Sequence, residues 1–299
     1  MKISELLKWL IAFFRSKTTT TSSTTTTSST TTSLKTEEPS RFAVCIGIND
    51  YPGSNNDLKG CINDAKNWSN LLTEKYGFKI VKTLIDSQAT KTNVKETIGD
   101  IISNAKKGDS LVITYSGHGT VVQDTNLDED DGTDEAWCMY DGLVIDDELR
   151  NMISKLPSEV KLTIISDSCH SGTVTRSFLN AMNNSNYYSV PRYLPPRDDM
   201  EAIALNSLPI KRAIFYPEEE MKEILISGCL PTEYSYDAHI DGQPTGAFSY
   251  YAIKILNENP KITYLDFYDK LRKNLPSNRY PQTPQLEGSK ESKNTLMFE

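Results

Sequence analysis

Two segments carry reactive side chains in a pattern that suits nucleophilic catalysis. The apolar run Leu111 to Tyr115 leads into Ser116-Gly117-His118-Gly119, and Leu162 to Ile165 leads into Ser166-Asp167-Ser168-Cys169-His170-Ser171-Gly172. A cysteine attacks as its thiolate, and a nearby imidazole either lowers the thiol pKa or accepts its proton. The chain has only three histidines, His118, His170 and His239, so the choice of base is narrow. His170 follows the proposed nucleophile directly, and sequence neighbours rarely share a direction, so His118 is the expected base. Gly117 and Gly119 would let the backbone turn and a substrate approach closely. The N–H groups of Gly119 and Cys169 would then face a developing oxyanion.

Such a pairing needs both segments on one edge of a sheet. Phe42 to Ile48 is a continuous apolar run and reads as a buried strand. Helical spacing follows over 58–76, with Leu58, Cys61, Ile62, Ala65, Trp68 and Leu72 on one face. Strand then alternates with helix: strand 79–84, helix 94–105, strand 110–115, helix 145–156 and strand 161–165. Residues 172–220 lack periodicity. Beyond them, 223–227 reads as a strand, 247–256 and 264–275 as helices, and 295–298 as a last strand. This alternation predicts an α/β fold with a mostly parallel central sheet and helices on both faces. In such sheets ligands bind beyond the carboxyl ends of the strands, where both reactive segments fall.

Composition removes several alternatives. Net charge is −8 and the pI about 5.1, which disfavours nucleic acid and favours cationic substrates or metal ions. The five cysteines, Cys45, Cys61, Cys138, Cys169 and Cys229, contain no CxxC pair, against a zinc ribbon or thioredoxin-like motif and in favour of free thiols in a reducing, cytoplasmic compartment. Residues 18–33 are almost pure Thr and Ser, so 18–40 reads as a disordered linker. Residues 1–17 hold a short apolar run, Leu6 to Phe14, too short to span a bilayer; an amphipathic helix touching a membrane surface or a partner through 3–14 is the alternative to a frayed end. The folded unit is expected over 41–299.

The segments Tyr-Ser-Gly-His-Gly (115–119) and Asp-Ser-Cys-His-Ser-Gly (167–172) resemble the paired signatures of metacaspases and their prokaryotic relatives, the orthocaspases. His118 and Cys169 are 51 positions apart (169 − 118), against roughly 50 in caspases. Leu58 to Ala65, Gly246 to Ser249 and Gln282 to Glu287 are similar to further segments of that family. The resemblance implies a caspase-hemoglobinase-like sandwich, with a large-subunit-like part at 41–172, a mobile loop at 173–220 and a small-subunit-like part at 221–299. It implies cleavage of protein or peptide substrates after Arg or Lys, with Cys61, Asp64, Ser116 and Asp167 forming the pocket for the basic side chain. An acidic pocket would bind a guanidinium through charge-assisted hydrogen bonds. The alternatives are a helix-surface role for Asp64 and a loop-bracing role for Asp167. The long segment, with Arg176, Arg192, Arg197, Lys211 and Arg212, is expected to be cut by the enzyme itself.

No cofactor is needed for the chemistry. By resemblance Asp134, Asp146 and Asp147 match three calcium ligands, but the fourth position holds Arg176, which opposes a cation; calcium activation is therefore expected to be weak or absent. An EF-hand fails on spacing, and the acidic run could otherwise be a solvated loop in which Asp146 or Asp147 caps the next helix. The rival readings are a thiol esterase or transpeptidase, a catalytically silent caspase-fold interaction module, and a Cys/His metal module. The intact His118, Gly119, Cys169, Ser116 and Asp167 speak against the silent module.

Overall fold

The computed structural model describes residues 38–53, 56–123, 133–169, 189–195 and 218–299. The expected helix contact at 3–14, the linker, His170 and Arg176 lie outside these residues. Pro39–Glu299 forms one compact unit. Among the described residues no helix is long and apolar enough to cross a membrane.

The chain opens with β1 (Arg41–Gly47), buried from Phe42 onward because helices cover both of its faces. Alternate residues serve opposite cores: Ala43 and Cys45 join one apolar cluster, and Phe42, Val44 and Ile46 join the other. Helix α1 (Cys61–Tyr76) follows. It buries Ala65, Trp68, Leu72 and Tyr76, an i, i+3, i+4 stripe, and ends where Gly77 takes φ 67°. Its first N–H groups are held from outside, since Asn49 Oδ1 accepts from Cys61 N at 2.9 Å and Ile62 N at 3.3 Å. Strand β2 (Ile80–Ile85) and helix α2 (Lys91–Asn104) come next; the Thr90 hydroxyl caps α2 by accepting from Asn93 N.

Strand β3 (Ser110–Ser116) is followed by three short antiparallel strands, β4 (Gly119–Gln123), β5 (Thr133–Met139) and β6 (Gly142–Ile145). Then come α3 (Asp146–Ile153), β7 (Lys161–Asp167), β8 (Ser189–Pro191), β9 (Glu223–Ser227), β10 (Tyr236–Ile240), β11 (Gln243–Gly246), α4 (Ala247–Glu258), α5 (Tyr264–Leu271), β12 (Gln285–Glu287) and α6 (Lys290–Lys293).

Among the described residues six strands form the main sheet in the order β12-β9-β7-β3-β1-β2, parallel except for β12. Helices α1, α4 and α5 pack one face, and α2 and α3 the other. The α/β sandwich with a mostly parallel sheet thus agrees with the sequence expectation. The sheet changes direction of growth between β1 and β3, and ligand sites gather at such switch points. Strands β3 and β7 are direct neighbours with Ser116 opposite Asp167, so the loops bearing His118 and Cys169 leave the same edge side by side.

Three expectations need correction. Residues 295–298 are no strand; Leu296 makes only an isolated bridge to Thr263, and the last strand is β12, inside the Gln282–Glu287 segment. The aperiodic segment 172–220 contributes β8, which pairs antiparallel with β10; three residues are too few to display a period. Neither aspartate caps α3: Asp146 is its first helical residue, and the Glu148 carboxylate accepts from Ile145 N instead.

Candidate active site

Cys169 is buried two residues beyond β7. Its sulfur accepts from Ser235 N at 2.7 Å, and its thiol faces Ser235 O at 3.1 Å. Cys229 packs beside it with its thiol on Ser168 O at 3.5 Å, and the neighbouring Cys169 sulfur together with burial pushes the Cys229 thiol well up from its ordinary value. His118 follows β3 and is 3% exposed. Its main-chain N–H donates to Tyr51 Oη at 2.8 Å, and the two rings lie 4.8 Å apart. His118 Nε2 sits 2.6 Å from the carbonyl oxygen of Asn56. A carbonyl only accepts, so Nε2 carries the proton and Nδ1 presents a bare lone pair. That Nδ1 is buried without a hydrogen-bond partner, so thiol and imidazole are not bonded to each other in this state.

Burial is the main cause that drives His118 down from 6.5 to about 4, against the raising effect of the Asn56 carbonyl. Between these values the unfolded chain binds a proton that the folded chain refuses, so stability falls as pH drops from 6.5 towards 4. We expect this residue to remove about 2 kcal/mol between pH 7 and pH 5. Urea midpoints at the two pH values check it: the loss should shrink in His118→Asn, and an equal loss in parent and variant would contradict it.

The main chain of Arg192 runs directly past these groups. Its carbonyl oxygen accepts from Gly119 N at 3.0 Å and from Cys169 N at 3.1 Å, and its own N–H donates to Ser235 O at 2.9 Å. Its side chain is fully buried. Arg192 Nη2 lies 2.7 Å from Asp64 and 3.0 Å from Asp237, and Nη1 lies 3.0 Å from Asp167. Three carboxylates thus surround one guanidinium; burial works against its charge, but the carboxylates outweigh burial and hold its pKa above the ordinary value. Burial, opposed by Arg192 and aided by Asp167, holds Asp64 up to about 6.

Backbone elements bring these acids together. Asp64 lies in the first turn of α1 and accepts from Gly246 N at 3.0 Å and from Thr245 Oγ1 at 2.7 Å. Asp167 ends β7 and accepts from Ser249 N at 3.1 Å and Ser249 Oγ at 2.7 Å. Asp237, in β10, accepts from Lys59 N and Gly60 N. Gly246 is required by space, since a Cβ there would stand 2.1 Å from Asp167 Oδ2 and 2.6 Å from Arg192 Nη1.

The arrangement comprises a thiol, an imidazole with a free lone pair, two N–H donors on one carbonyl and an acidic cup around a basic side chain. The family model described as metacaspase, peptidase C14 domain, matches residues 41–177. A metacaspase-1 of Kluyveromyces lactis is 32% identical, covering 86% of this chain and 68% of that protein. A metacaspase-1 of Saccharomyces cerevisiae is 33% identical, covering 85% and 69%. This chain belongs to the metacaspase family. It is accordingly a caspase-like, cysteine-type peptidase acting on protein substrates. A solved Geobacter sulfurreducens protein superposes with TM-score 0.67 at 30% identity, covering 87% of this chain and 98% of its own. The caspase-1 of Spodoptera frugiperda, at TM-score 0.53 and 13% identity, covers 84% and 87% and shares the fold.

Within this metacaspase the structure gathers most of the residues that the sequence singled out. Cys61 is buried at the start of α1, where Arg192 and the three aspartates all act on it. Ser116 is buried between Gly47 and Asp167 in register. Asp64 is fully buried, which overturns the helix-surface alternative. Asp167 accepts from the backbone N–H of Ser249 and also faces the Arg192 guanidinium. Gly117 differs from expectation: a Cβ there would meet Tyr115 Oη at 2.5 Å and Tyr51 Oη at 2.6 Å, so its smallness admits two tyrosine hydroxyls rather than substrate. Sequence reasoning missed Asp237, Tyr51, the Asn56 carbonyl and Ser235. A main-chain carbonyl has no sequence signature, and Asp237 looks like any polar residue near a strand end.

Asp134, Asp146 and Asp147, which match calcium ligands by resemblance, lie near one another, and Arg150 reaches two of them. Asp134 and Asp147 act on Asp146, and burial with these neighbours pushes Asp146 up to about 7. Arg150 engages the same carboxylates, 2.6 Å from Asp146 and 3.6 Å from Asp147. Among the described residues no group of three His, Cys, Asp or Glu side chains is arranged to hold a metal ion.

Proposed function

We propose that this metacaspase is an endopeptidase that cuts after Arg or Lys with Cys169 as nucleophile and His118 as base, and that its own Arg192–Tyr193 bond is its first substrate. The observation that carries this reading is Arg192 itself, bound as a substrate would be, with its side chain among Asp64, Asp167 and Asp237 and its carbonyl held by Gly119 N–H and Cys169 N–H. Strand β8 leads into it as an added strand on β10, the way an extended peptide docks on a sheet edge.

In the proposed step Cys169 Sγ forms a bond to the Arg192 carbonyl carbon, and the two N–H groups stabilise the resulting oxyanion. His118 Nδ1 takes the thiol proton and passes it to the Tyr193 nitrogen as the peptide bond breaks. Water, deprotonated by the same nitrogen, then releases the Arg192 carboxylate from the thioester. The Asn56 carbonyl holds the proton on Nε2, which supports Nδ1 as the basic nitrogen in this step.

An Arg side chain exchanges its hydration for three carboxylates, whereas a substrate Asp would meet like charge with no partner. Calcium is no part of the proposed step; Arg150 engages Asp146 and Asp147, two of the three carboxylates that would hold it. In a calcium chelator, a Ser-Val-Pro-Arg aminocoumarin reporter is expected to be turned over at least about a hundredfold faster than its Asp counterpart. Equal rates, or an absolute need for millimolar calcium, would contradict the reading.

A further inference from the structure

The two residues that follow Arg192 are as deeply held as Arg192 itself. Tyr193 is 5% exposed and Leu194 4% exposed; on the other side of the cut Pro191 is buried too, and only Ser189 and Val190, farther from the bond, are half-buried. The Tyr193 ring packs against Tyr234, with centroids 6.1 Å apart. It belongs to the same apolar cluster as Cys169, Cys229 and Tyr234, while Leu194 joins the cluster on the opposite face of the sheet. The main chain is fixed too. Gly119 N–H donates to Arg192 O at 3.0 Å, and Leu194 N–H donates to Gly119 O at 3.0 Å, the bonding of a parallel bridge between Gly119 and Tyr193. Gly119 therefore binds the reacting carbonyl with its own N–H and the residue two places beyond it with its own C=O.

These observations describe a binding site for the leaving side of the substrate. Resting on the reading of Arg192–Tyr193 as a docked peptide bond, we propose that this peptidase selects its substrates after the cut as well as before it. The residue following the basic one enters a subsite walled by Tyr234 and takes a large aromatic side chain. The next residue enters an apolar subsite and takes an aliphatic one, with its N–H on Gly119 O. The preferred class is then a basic–aromatic–aliphatic sequence, of which Arg192-Tyr193-Leu194 is the instance within this chain.

The physical reason is that binding energy remote from the reacting atoms can be used to orient them. An N–H on Gly119 O and two buried apolar side chains hold the bond against the thiol; glycine in both places supplies only the main-chain contact. Burial of a single extra methylene in such a pocket separates substrates by about tenfold or more, so loss of both side chains should do at least that.

The test compares three probes on the full-length enzyme: quenched peptides containing Ser-Val-Pro-Arg-Tyr-Leu and Ser-Val-Pro-Arg-Gly-Gly, and the Ser-Val-Pro-Arg aminocoumarin reporter, which has no residue after the cut. The expected result is a kcat/KM at least about tenfold higher for the Tyr-Leu peptide than for Gly-Gly, with the ratio shrinking in Tyr234→Ala. Turnover of the reporter with equal rates for the two peptides overturns the inference and leaves the peptidase reading standing. A ratio that Tyr234→Ala does not change overturns the assignment of the aromatic subsite. Failure to cut any of the three sinks the reading of cleavage after a basic residue, and the inference with it.

Discussion

Cys169→Ala is expected to lower turnover of an Arg reporter by about ten-thousand-fold or more, because the covalent route through the thioester is gone. The fold should survive. The side chain is small and fully buried, and its loss removes only the sulfur's contacts with Ser235 and Cys229. A destabilisation of about 1 kcal/mol is the usual size of such a change. Near-ultraviolet circular dichroism and a urea melt, run beside the reporter assay, separate lost chemistry from lost structure. An Ala variant that is folded and cleaves like the parent would remove Cys169 from the role of nucleophile.

The second large effect concerns the acidic cup. Asp64→Asn replaces a carboxylate 2.7 Å from the guanidinium with a neutral amide, in a place from which water is excluded. Truncating one partner of a buried, hydrogen-bonded charge pair costs about 2–5 kcal/mol. The kcat/KM for an Arg peptide should accordingly fall by about a hundredfold or more, while the rate on a Leu peptide changes little. The preference for Arg over Leu would then collapse, although Asp167 and Asp237 still face the pocket. Matched Arg, Lys, Asp and Leu peptides assayed on parent and variant read this directly. An unchanged Arg preference in Asp64→Asn would assign Asp64 to bracing Gly246 and Thr245 alone.

Much of this architecture was legible from residue order because its signals are long or chemically rare. Runs such as Phe42 to Ile48 and Leu111 to Tyr115 are apolar throughout since both faces of their strands are covered. A Cys and a His at the ends of two such runs almost dictate that the strands be neighbours, and β3 and β7 are. Asp64 was singled out only because the segment Leu58 to Ala65 resembles the family's first helix; its position on α1 alone suggested a solvated carboxylate. What stayed hidden depends on pairing between distant segments. Strand β8 is three residues inside an aperiodic stretch, and it exists because β10 offers an edge. Strands β4 to β6 lie where acidic residues obscure alternation. Arg192 was one of five basic residues in that stretch, and nothing in its sequence neighbourhood distinguishes it from Arg197 or Lys211. Only the sheet register that brings Pro191 opposite Tyr236 selects it.

The position of self-cleavage reads that selection out. Purified parent chain and Cys169→Ala would be incubated side by side and their masses measured intact. The parent is expected to divide into one fragment ending at Arg192 and another beginning at Tyr193, while the Ala chain remains whole. A first cut at any other basic residue, or the same fragments from the Ala chain, would contradict it.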